Sequence, residues 1–138
     1  MRILMSGASG LVGTALTGHL VTHGHTVSRL VRRQAKPGEV TWDPTTGELD
    51  PAAFDGCDAV INLSGAGIGD KRWSDDYKVE LLSSRVQTTE LLATTMADLD
   101  HKPSVFLSGS AIGWYGDRGD ERLDELSTPG TGFLSDLT

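Results

Sequence analysis

Three glycines are spaced as GxxGxxG in the run SGASGLVG: Gly7, Gly10 and Gly13, which follow the apolar run Ile3 to Ser6 and open the apolar run Leu11 to His23. Glycines at a strand-to-helix turn let the backbone come close to a ligand, and the free amides at a helix start favour phosphate charge. The spacing differs from the common dinucleotide fingerprint, GxGxxG, by one extra residue between the first and second glycines. Gly7, Ser9, Gly10, Leu11, Val12 and Gly13 are therefore the candidate pyrophosphate contacts. A tight turn packed without a ligand is the alternative that the pattern alone leaves open. A phosphate loop of the nucleotidase kind is disfavoured, because no Lys-Ser or Lys-Thr pair follows the glycines.

The second apolar run, Thr26 to Val31, ends in LVRRQ. An acidic residue there would suit a free ribose hydroxyl, whereas Arg32 and Arg33 suit a 2'-phosphate, so NADP is the expected cofactor. An ordinary solvated basic turn is the competing reading. In DAVINLSGAG, the backbone around Leu63, Ser64 and Gly65 is small enough to let a cofactor approach, and Asn62 faces either the cleft or a packed layer. Ser108 closes the run VFLS as a further cofactor contact, and Ser110 just beyond it can polarise a substrate carbonyl or alcohol. Tyr115 can donate a proton, but its neighbour Trp114 favours aromatic packing. In KRWSDDYK, Lys71, Arg72 and Lys78 can reach an anion, while Trp73 and Tyr77 are expected to pack the loop.

Other chemistry is weakly represented. His19, His23 and His25 fall in one helix and turn, with His101 remote from them, so no metal is expected. Cys57 is the single cysteine, which rules out an internal disulfide and points to a reducing, cytoplasmic setting. A formal net charge of -7 disfavours nucleic acid and anionic membranes as partners and leaves a small-molecule substrate. The amino end lacks the pattern of a secretory signal, and no apolar run is long enough to cross a bilayer. Oligomeric state leaves no signature.

The elements that must hold these residues follow from periodicity. Ile3 to Ser6, Thr26 to Val31, Ala59 to Leu63 and Val105 to Ser108 read as strands. Leu11 to His23 reads as a helix stopped by Gly24, and Asp75 to Ala97 as a long helix capped by Ser74, offering Leu81, Leu82, Val86, Leu91, Leu92 and Met96 for burial. The segment from Arg32 to Gly56 is polar and carries three prolines, so it is expected to hold a short strand at Val40 to Trp42 in a compressed crossover or edge hairpin. With 138 residues, one α/β domain with a mostly parallel sheet and helices on both faces is the expected fold.

The blocks SGASGLVG, DAVINLSGAGI, KRWSDDYKVELLSSRVQTTELL and VFLSGSAIGWYGDRGDE together resemble the extended short-chain dehydrogenase/reductase superfamily. More narrowly, they resemble its NAD-dependent epimerase/dehydratase type, in an atypical branch similar to nucleoside-diphosphate-sugar epimerases. The resemblance covers nearly the whole chain and implies a Rossmann-like, nucleotide-binding domain over residues 1 to 138, incomplete and without a carboxyl-terminal substrate-binding region. It also implies that Ser110 matches the serine that works with a Tyr-x-x-x-Lys pair. Phe133 and Leu137 stand opposite that tyrosine and lysine and can carry neither proton nor charge. Arg85 stands where an asparagine is usual. The expectation is an NADP-binding oxidoreductase or epimerase-like protein acting on an oxygen-bearing small molecule, a nucleotide sugar among the candidates. A dinucleotide-binding or redox-sensing protein with little or no turnover is the alternative.

Overall fold

A computed structural model describes residues 1–138. Six strands form one sheet: β1 (Arg2–Ser6), β2 (Thr26–Val31), β3 (Glu39–Asp43), β4 (Glu48–Leu49), β5 (Ala59–Asn62) and β6 (Val105–Ser108), in the spatial order β4-β3-β2-β1-β5-β6. All neighbours pair in parallel except β3 and β4, which form an antiparallel hairpin at the edge. Because the other strands run the same way, the glycine turn after β1 shares the sheet's carboxyl edge with Arg32 after β2, Leu63 after β5 and Gly109 after β6. Sequential order reverses across β1, the kind of switch point at which open sheets bind ligands.

Helix α1 (Leu11–Thr22) stops one residue short of the expected His23, which serves as its carboxyl cap. Helix α2 (Asp75–Ala97) starts as expected, with the Ser74 hydroxyl accepting from the Tyr77 amide. Helix α3 (Phe133–Leu137) and two 3-10 turns, at Pro51–Phe54 and Ile112–Tyr115, are short additions to the expected pattern. The link from β2 to β3, Arg32 to Gly38, contains no helix, so the compressed crossover and edge hairpin are both present.

Two cores sandwich the sheet. Leu4, Leu30 and Val60 meet Leu92 and Met96 of α2, together with Trp42 and Phe54. Ile3, Met5 and Ile61 face the other way, toward Leu16 and Leu20 of α1. Alternate residues of β1 and β5 thus feed opposite cores, as a parallel strand covered on both faces requires. On α2 the buried stripe is Tyr77, Leu81, Thr88, Leu92 and Met96, whereas Leu82 and Val86 are exposed, contrary to expectation. The reason is angular: each residue turns the helix by about 100°, so positions 82 and 86 sit off the stripe that touches the sheet.

Candidate functional site

At the carboxyl edge a groove of about 880 Å³ runs from the glycine turn past the end of β2 and back along α2. It brings together Gly7, Ser9, Gly10, Arg32, Arg33, Leu63, Ser64 and Gly65 from the sequence expectations. Gly13, Leu11, Val12, Ser108 and Ser110 are not on its wall. Gly13 is buried beneath the turn, while Leu11 and Val12 stand exposed where α1 begins.

The three glycines are not equivalent. Gly7 has φ +67°, and a β-carbon there would collide with the Leu63 carbonyl and lie 2.9 Å from the Ser64 amide nitrogen. A β-carbon on Gly13 would strike the Gly7 carbonyl and lie 2.8 Å from the α-carbon of Ala8. Both are demanded by close approach of the turn to β5 and α1, with or without a ligand. Gly10 differs: its φ is -72°, and a β-carbon would meet only the Gly7 carbonyl oxygen, at 3.4 Å. Nothing inside the chain requires glycine at position 10. Gly10 also caps α1 without a side-chain bond, and the amides of Leu11, Val12 and Gly13 have no acceptor within the chain. No acidic side chain occupies the first turn, so that end of the helix presents uncompensated positive potential.

The turn after β5 is fixed from two sides. Asn62 is 3% exposed and its side chain points not into the open cleft but into the packed layer toward α2, where it joins a polar network. Its Oδ1 accepts from the Ser6 hydroxyl (2.6 Å) and the Ser64 amide (3.2 Å), while its Nδ2 donates to the Thr89 hydroxyl (3.0 Å) and to Ser108 (3.4 Å). Ser108 is thereby tied to the ends of β1 and β5. From the helix side, the Ala66 amide donates to Ser84, Arg85 donates to the Ala66 carbonyl (3.2 Å), Tyr77 donates to Gly67, and the Trp73 indole donates to Ile68. Arg85 lies against Gly65, where a β-carbon would be 3.3 Å from its guanidinium carbon. Arg85 thus supports the loop, and Trp73 and Tyr77 pack it as expected. Lys71 is paired with Glu80 at 2.9 Å, which raises the lysine pKa above its ordinary value.

At the far end of the groove two residues join the arginines that the sequence reading does not contain. The parallel register of β2 and β3 places Arg29 opposite Glu39. Arg33 grips Glu39 through both terminal nitrogens, at 2.6 and 2.8 Å, and Arg29 approaches to 3.3 Å. The Lys36 amide adds a bond of 3.0 Å. The Arg33 hydrogen bonds, then the Lys36 amide, lower the Glu39 pKa to about 2. Arg32 makes no ion pair or hydrogen bond and is free to meet an anion.

The segment beyond β6 is different in character. The exposed Ser110 hydroxyl donates to the Thr138 carbonyl at 3.2 Å, and the Tyr115 hydroxyl donates to the Asp124 carbonyl at 2.9 Å, so Tyr115 is engaged with the tail. Leu137 is buried in an apolar cluster with Tyr77 and Leu81, and Phe133 packs against it, edge-on to Trp73 at 5.5 Å between ring centres. No helix is long and apolar enough to cross a membrane.

A parallel sheet reversing direction at β1, helices on both faces, and a glycine turn opening a polar groove at the carboxyl edge define a Rossmann-like α/β protein. The chain belongs to the NAD dependent epimerase/dehydratase family, whose model matches residues 3–132. An epimerase family protein of Mycobacterium bovis is 43% identical over 136 residues, which are 98% of this chain and 44% of that protein. A human epimerase family protein, SDR39U1, solved with NADPH, superposes with a TM-score of 0.86 at 32% identity, covering 99% of this chain and 46% of that one. A nucleoside-diphosphate sugar epimerase from Corynebacterium glutamicum gives a TM-score of 0.83 at 39% identity, covering 99% of this chain and 28% of that one. The chain therefore spans less than half the length of these relatives.

Proposed function

We propose that the chain is the NADP(H)-binding part of an oxidoreductase or epimerase-like enzyme acting on an oxygen-bearing small molecule, a nucleotide sugar among the candidates. The observation that carries this reading is the groove running from the glycine turn, Gly7 to Gly10, which leads into the unpaired amides of α1, to the arginines after β2. The residues present fit the cofactor. Gly10 leaves room for a pyrophosphate beside free amides, and unpaired Arg32 supplies charge for a 2'-phosphate. Leu63, Ser64 and Gly65 offer a low wall along the groove between these ends. The human relative solved with NADPH supports the phosphorylated cofactor, although more distant structural neighbours are described with NAD.

Bound there, the nicotinamide would supply hydride transfer. The chain's own contribution is placement: its backbone binds phosphate, the pinned turn after β5 limits movement, and the exposed Ser110 hydroxyl would orient the substrate oxygen by exchanging its bond to the Thr138 carbonyl for one to substrate. A second reading, binding without efficient turnover, is favoured by one specific observation. Phe133 and Leu137 are part of an apolar cluster, so the positions matching the proton-relay pair hold no titratable group.

The test is a titration of the chain with NADPH and NADH, followed by fluorescence at one fixed salt concentration, on wild type and on the Arg32→Ala, Arg33→Ala double variant. The expected result is a wild-type preference for NADPH that the double variant loses, while NADH affinity changes little. Equal loss for both dinucleotides, or a wild-type preference for NADH, would overturn the assignment of these arginines. In the full-length protein, Ser110→Ala should lower turnover and leave NADPH affinity intact; unchanged turnover would remove its proposed role.

A further inference from the structure

Arg33 looks unsuited to a phosphate at first sight, because its charge is already met by Glu39. A guanidinium has five N–H donors, however, and they divide into defined edges. Nη1 gives one to Glu39 Oε2 at 2.6 Å and one to the Gln34 carbonyl at 3.0 Å, and Nη2 gives one to Glu39 Oε1 at 2.8 Å. The Nε–H and the second Nη2–H have no partner in the chain. Those two donors form the side-on fork that matches two oxygens of a phosphate.

Glu39 is itself held still. Its side chain is only 3% exposed, beneath an Arg33 side chain that is 54% exposed. The Lys36 amide and Arg29 occupy it further, at 3.0 and 3.3 Å. Its position comes from the β2–β3 register, so it is part of the sheet rather than of a loose turn. All four side chains, Arg29, Arg32, Arg33 and Glu39, line the same groove. Three guanidinium groups against one carboxylate keep this end of the groove positive.

We propose that Glu39 is a positioning residue for NADP(H) selectivity: it locks Arg33 so that the remaining Nε/Nη2 fork is presented to the 2'-phosphate. The inference rests on the dinucleotide reading above. Two effects of Glu39 oppose each other, and magnitude decides between them. Its negative charge repels the phosphate, but in a solvated groove at 0.15 M salt, with a Debye length of about 8 Å, that repulsion is worth only about two- to three-fold in affinity. Ordering a loose arginine at binding costs roughly three- to ten-fold, and a misaligned fork adds to that. Positioning therefore outweighs repulsion.

The experiment is a binding cycle with NADPH and NADH as probes on wild type, Glu39→Gln, Arg33→Ala and the double variant, at 0.15 M and 0.5 M salt. Thermal melting of each variant checks that the edge hairpin remains folded. The expected result is that Glu39→Gln weakens NADPH about three-fold at 0.15 M salt and leaves NADH unchanged. The wild-type to variant ratio should grow at 0.5 M, where the opposing repulsion is screened. In the Arg33→Ala background, Glu39→Gln should no longer weaken NADPH. Tighter NADPH binding by Glu39→Gln, or a loss that persists without Arg33, would show that Glu39 acts as a bare charge and overturn the proposal. Parallel loss of NADPH and NADH would assign it to the fold and overturn it equally. A wild-type chain that binds neither dinucleotide defeats the cofactor reading and this inference together. A wild-type NADPH preference left unaltered by Glu39→Gln defeats the inference alone.

Discussion

Replacing Gly10 with valine separates a ligand-binding turn from one that is merely well packed. The backbone at Gly10 has φ -72° and ψ 174°, a region open to any residue, and the first neighbour of an added β-carbon is the Gly7 carbonyl oxygen at 3.4 Å. Substitution removes some freedom from the unfolded chain, a gain of about 0.4–1 kcal/mol. It also puts a residue disfavoured at a helix cap in place of glycine, a loss of about the same size. The two nearly cancel, so Gly10→Val should melt within about 4 °C of wild type. Its branched side chain would nonetheless stand beside the free amides of Leu11, Val12 and Gly13. Denying a phosphate one charge-assisted hydrogen bond costs about 1.5–3 kcal/mol, or roughly 10- to 100-fold in affinity.

The assay pairs an NADPH fluorescence titration with a circular-dichroism melt on the same sample. Gly7→Ala and Gly13→Ala serve as contrasts, because their β-carbons meet backbone that cannot step aside, and they should lose the fold rather than the ligand alone. A folded Gly10→Val protein with unchanged NADPH affinity would refute the placement of a pyrophosphate at this turn.

Two further outcomes follow from groups away from the turn. The Glu39 carboxyl, lowered to about 2 from its ordinary 4.5 by Arg33, contributes stability that is fully present above about pH 4.5 and lost as pH falls toward 2; melting between pH 2 and 6 should show a decline that Glu39→Gln flattens, and identical profiles would contradict the pairing. Leu137→Lys should destabilise the chain by about 3 kcal/mol or more, because Leu137 is 6% exposed among Tyr77 and Leu81. A denaturant midpoint equal to that of wild type would contradict tight packing of that cluster.

Much of the fold is legible in local patterns. The apolar β-branched runs set β1, β2, β5 and β6 to within a residue at each end, Ser74 marks the start of α2, and the prolines after Arg33 announce a link without a helix. The face of α2 is less legible, since leucine and valine occur around much of its circumference. Leu82 and Val86 are as apolar as Leu81 and Leu92, and only the sheet decides which side is covered. The short α3 has too few residues for a period to show, and its burial depends on Tyr77, more than fifty positions earlier.

The site divides along the same physical line. Gly7, Gly10 and Gly13 announce themselves because a turn's requirements are written in consecutive residues. Glu39 does not, since in GEVTW it resembles any charge before a strand. Its role appears only when β3 pairs with β2 in parallel and Arg29 falls opposite it. A slip of one residue in that pairing would move Glu39 to the other face of the sheet, away from Arg29 and Arg33. The selectivity proposed for the arginine end is thus a property of strand register as much as of residue type. For that reason the pair Arg32 and Arg33, read alone, suggests two equal phosphate ligands where the structure has one free guanidinium and one already held by a carboxylate.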